Sequence, residues 1–183
     1  MIYQLSMQTT GVTAGLLLIV SHAAALTQPA LMMRLAASFP RSRAAGTLLI
    51  ALAAFWSFLL VSRIDLGEFS PLRHIMLTGI VAGGILAWLY LEEFLAVRAL
   101  GMILLLAAEP LLESALLRTE PDRILLTVLG VGWAIVGLFL VGMPYLLRDA
   151  LTWVSSNTAR WSAAAGGGLL YGIALTITAI LRW

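Results

Sequence analysis

Glu109 and Pro110 sit together inside an apolar run from Leu100 to Leu117, and Glu113 follows one helical turn later. A charged group at bilayer depth costs about 2.5–3.5 kcal/mol on insertion scales, so it faces protein or water and has a polar partner. Pro110 has no N–H to donate to the carbonyl of Leu106, which opens the helical ladder beside the acid and marks a kink. The i, i+4 spacing puts both carboxylates on one helix face. Such a pair can carry protons or cations, although Glu113 reads equally well as an acid snorkelling to an interface.

His22 falls near the middle of the first apolar run, at the depth expected for Glu109. A His22–Glu109 contact would satisfy two groups that lipid cannot. Its first expected role is a hydrogen-bonded clamp between two helices, and its second a proton- or cation-responsive site. His74, the other histidine, opens a later run near an interface, so the two are offset as axial ligands of one haem. No residue pattern identifies a cofactor. Too few ligands converge for a metal site, and no nucleophile elbow, HExxH or Walker motif is present.

The chain that positions these groups is 61% hydrophobic and 11% charged, which places it among polytopic helical membrane proteins. All eleven basic residues are Arg, and the net charge of +2 with no basic-aromatic stripe argues against nucleic acid. The absence of Cys excludes disulfides and thiolate chemistry. No basic segment precedes the first apolar run, so that run is expected to stay as a helix.

The fold class is all-α, a single domain over residues 1–183 of about six transmembrane helices arranged as three hairpins. The expected spans are residues 11–31, 44–61, 75–91, 100–117, 124–147 and 163–181, each close to the ~20 residues a bilayer core requires. Glu92 to Arg98 reads as an interfacial elbow. Residues 146–160 read as an amphipathic helix to about Val154, followed by a turn. Arg43-Ala-Ala-Gly and Arg98-Ala-Leu-Gly open spans two and four, with a looser version from Arg160. Pro29-Ala-Leu-Met-Met-Arg34 is echoed by Pro144-Tyr-Leu-Leu-Arg148. Six Arg on one face against five on the other place both termini outside by the positive-inside rule.

Gly79 with Gly83, and Gly168 with Gly172, form GxxxG pairs suited to close helix packing. Short loops and sparse intramembrane polar groups point to a non-enzymatic scaffold or accessory subunit of a larger membrane complex in a bacterial inner membrane. Its expected partners are the lipid bilayer and other membrane subunits or further copies of itself. The alternatives are a small ion- or proton-coupled transporter using Glu109, Glu113 and His22, and a quinone- or haem-binding redox subunit.

Overall fold

Three polar side chains set where helices begin. Ser6 accepts a hydrogen bond from the N–H of Thr9 (3.0 Å), Ser42 from Ala45 (3.2 Å) and Asn157 from Ala159 (2.8 Å). Each satisfies an orphan donor of a first helical turn. In the computed structural model, which describes all residues except 1, 2, 4, 92 and 117, these caps open α1 (Met7–Thr27), α3 (Arg43–Arg63) and α8 (Thr158–Leu181). The remaining long helices are α4 (Arg73–Tyr90), α5 (Leu95–Ala115) and α6 (Ile124–Gly142). Six helices are thus long and apolar enough to cross a membrane, and the chain is an all-α polytopic membrane protein.

Two expected spans run too far. The first ends at Thr27 rather than residue 31, and the fifth at Gly142 rather than residue 147. The cause is the same in both. Gln28 (φ −128°, ψ 57°) precedes Pro29, and Met143 (φ −130°, ψ 67°) precedes Pro144, where the proline ring disfavours helical backbone. The chain then turns into two short helices, α2 (Pro29–Ser38) and α7 (Tyr145–Ser155), which pack against each other. The Pro29 and Pro144 echo marks these helices. α7 ends within a residue of the expected turn.

The elbow is shorter than expected. Arg98 lies in the first turn of α5, where Leu95, Ala96, Val97 and Ala99 are all buried. Glu92 lies outside the described residues. Phe94, in the left-handed conformation at φ 58°, turns the chain into α5.

The spans form three antiparallel pairs, offset by one from consecutive hairpins: α3 with α4, α5 with α6, and α8 with α1. α5 also packs on α3 and α1, which makes it the hub. Closely approaching backbones hold two of the pairs. A Cβ on Gly101 would lie 2.8 Å from the carbonyl oxygen of Gly137, and one on Gly137 would lie 2.8 Å from that of Gly101. Gly15 and Gly172 repeat the reciprocal arrangement at 2.9 Å between α1 and α8. Van der Waals contact of this kind associates helices where lipid removes the hydrophobic drive. The main core joins Met7, Ala14, Leu111, Leu126 and Leu175 from these two pairs.

Candidate functional site

α5 carries the acidic pair through the middle of the bundle. Glu109 is the fifteenth of its 21 residues and Glu113 the nineteenth, so both lie in the half nearer the chain termini. α5 stays helical through Pro110. Ser114 directs its hydroxyl back to the carbonyl of Leu111 (3.0 Å), which leaves the acids as the outward-reaching polar groups of this turn.

Tyr3 packs by these acids. The Tyr3 backbone N–H donates to Glu113 Oε2 (3.3 Å), and Trp56 of α3 donates its indole N–H to the Tyr3 hydroxyl (2.7 Å). Burial pushes the Tyr3 phenol above the ordinary tyrosine range. The Trp56 hydrogen bond opposes that shift, and the Glu109 and Glu113 carboxylates add to it. Glu113 Oε1 is sealed from solvent without a hydrogen-bond partner among the described residues. Glu109 is half-buried, and no cationic side chain among the described residues forms an ion pair with either acid.

His22 does not join this site. It stands fifteen residues beyond Met7 in α1, so it lies past the helix midpoint toward the opposite face. Glu109 lies past the midpoint of α5 toward the terminal face, and the two are offset by about 13 Å along the membrane normal at 1.5 Å per residue. The expected pairing at equal depth fails because span one begins and ends four residues earlier than composition indicates, and span four begins five residues earlier. His22 instead donates Nδ1–H to the carbonyl of Leu18 (2.8 Å), and its ring lies where a Cβ on Gly168 would be. The structure thus brings together His22 and Gly168, and joins Gly172 to Gly15. His22 also borders a cavity of about 300 Å³ under α7, shared with Leu151, Trp161 and Ala165. His74 is the second residue of α4, at the terminal face, so the two histidines cannot ligate one iron.

Gly79 and Gly83 stand open: among the described residues, a Cβ on either would find no atom within 4 Å. They line an open cleft of about 340 Å³ between α3, α4 and α5, with Ile50, Ala53, Met102 and Leu106 among its walls. The small residue that does pack α4 onto α3 is Gly84, whose Cβ would sit 3.3 Å from that of Ala54.

Sequence reading missed Tyr3 and Trp56. The signal for Tyr3 was the Ser6 cap, which starts α1 at Met7 and leaves Tyr3 just outside it, at the level of the end of α5. Trp56 carried no signal beyond its position in an apolar helix. No family model, curated protein or solved structure is similar to this chain.

Proposed function

We propose that the protein is a non-enzymatic integral membrane subunit, a scaffold or accessory component of a larger complex in a bacterial inner membrane. The observation that carries this reading is the Gly79–Gly83 face. It is a small-residue stripe of the kind that packs transmembrane helices, and it stands open beside a cleft that its own bundle leaves unfilled. The partner is a membrane helix, from another subunit or a second copy. A Cβ at either glycine meets no atom within 4 Å among the described residues, so Leu at both would fill the open cleft. Blue-native electrophoresis of mildly solubilised membranes tests the reading. The wild type runs as a complex, and the Gly79→Leu/Gly83→Leu variant runs as a stable monomer. A wild type that migrates alone sinks the proposal.

A second reading, a proton- or cation-coupled carrier, is favoured by the acidic pair. Glu109 and Glu113 share one helix face beside Pro110 and have no ion-pairing cation among the described residues. In proteoliposomes with an internal pH or cation dye, the wild type would then show flux that Glu109→Gln abolishes without loss of folded protein. An absence of flux in the wild type removes this reading.

A further inference from the structure

By sequence, the connections on the face opposite the termini and the helix starts that follow them hold Arg34, Arg41, Arg43, Arg98, Arg148 and Arg160 against Glu92, Glu93 and Asp149, six positive charges to three negative. These connections include α2 and α7, two short helices that contain no buried residue. α7 sets Leu146, Leu147, Ala150, Leu151 and Val154 against Arg148, Asp149 and Thr152, the pattern of a helix lying in the headgroup plane.

Within this layer Arg98 is out of place. It is the one charged side chain in a turn whose other members, Leu95, Ala96, Val97 and Ala99, are at most 3% exposed. Its Nε is sealed from solvent and has no acceptor among the described residues. A buried guanidinium donor without an acceptor is costly, and a planar fork of N–H groups matches the oxygens of a phosphate. A second guanidinium lies by the residue that leads into this turn. Arg148 of α7 lies over the Phe94 ring, 5.8 Å from its centre, and the Phe94 carbonyl accepts the Arg98 backbone N–H (3.1 Å). Asp149 pairs with Arg148 at 2.8 Å, but both side chains are about half exposed, and such pairs hold a cation weakly.

We infer that Arg98 and Arg148, where α5 and α7 begin, form a binding site for the phosphate of an anionic phospholipid in the adjoining leaflet. Its place in the chain agrees: Arg98 lies in the first turn of α5, at the end of a helix long and apolar enough to cross the bilayer. The excess of Arg over acid on this face selects a lipid of net negative charge, and its acyl chains would lie along the apolar helix walls below.

Native mass spectrometry of the purified full chain, titrated with phosphatidylglycerol or phosphatidylcholine, tests this. Phosphatidylglycerol is expected to stay bound under conditions that strip phosphatidylcholine. Arg98→Gln and Arg148→Gln should each weaken its retention roughly fivefold, the effect of one basic side chain at a lipid surface. Arg98→Lys should restore only part, since it returns the charge without the fork. Arg123→Gln, on the terminal face, should change nothing. Equal retention of the two lipids, or equal effects of Arg98→Gln and Arg123→Gln, overturns the inference. If Arg98→Gln does not fold, Arg148→Gln on the exposed helix decides, and its failure to weaken retention overturns the site.

Discussion

α4 and α5 are neighbours in sequence and both apolar enough to cross a bilayer, yet nine of the 21 residues of α5 are buried and none of α4 is. Hydropathy does not separate them, because lipid is as good a solvent for Leu and Ile as a protein interior. Polar content does. α5 carries Glu109, Glu113 and Ser114 along its C-terminal half, groups that lipid rejects, and it became the hub. α4 carries only Thr78 between its first turn and its end, and the bilayer accepts it at the edge. In this chain the helix that carries the two intramembrane acids has the most buried residues.

The comparison is broken most directly at the glycines. Gly137→Leu places a side chain against the Gly101 carbonyl and is expected to separate α5 from α6, with loss of folded protein in detergent. Overpacking by even a methyl costs about 1–3 kcal/mol, so Gly137→Ala should lower the thermal midpoint measurably. Gly79→Ala on α4 should leave it unchanged. Equal effects at the two positions would mean that α4 is as tightly packed as α5.

A smaller effect is expected at the large apolar residues. Leu126 is fully buried and Leu89 of α4 is 48% exposed. Truncating Leu126 to Ala leaves a cavity and should cost at least about 2 kcal/mol, whereas Leu89→Ala exchanges one lipid-facing surface for another. Denaturation in mixed micelles distinguishes them.

These contrasts also show what was readable in advance. The class, the number of spans and the short amphipathic α7 were readable because long apolar runs and amphipathic periodicity are local properties. Helix ends were misjudged where a single residue overrides composition: Ser6 starts α1 earlier, and Pro29 and Pro144 stop α1 and α6 sooner. The shift of α1, together with the earlier start of α5 at Leu95, put His22 and Glu109 in opposite halves of their spans, so the expected pair disappeared. Helix partnership was not readable at all. Gly79–Gly83 and Gly168–Gly172 have the same spacing, and only the tertiary arrangement gives one a neighbour and leaves the other open.

The weakest expected effects lie at the N-terminal segment. Trp56→Phe removes the indole donor to the Tyr3 hydroxyl and should cost about 1 kcal/mol. It should also loosen the cover over Glu113, which hydrogen exchange at the amide of Tyr3 would register. The raised Tyr3 phenol sets a pH dependence. The folded state holds its proton above the pH at which the unfolded chain releases it. The folded state therefore binds more protons, and stability falls as pH rises through about 10. Tyr3→Phe should flatten that alkaline decline. A decline identical in Tyr3→Phe would assign it to another group.

The pairing of α1 with α8 has a consequence for biosynthesis. α1 packs chiefly on α8, and 130 residues separate Thr27 from Thr158. At 5–20 residues per second that is a delay of roughly 7–26 s, during which Gly15 and His22 face lipid or the insertion machinery without their neighbours. α5 and α6, separated only by a short loop, meet almost at once. The central pair is therefore assembled while the chain is still being made, and α1 waits for α8 to emerge.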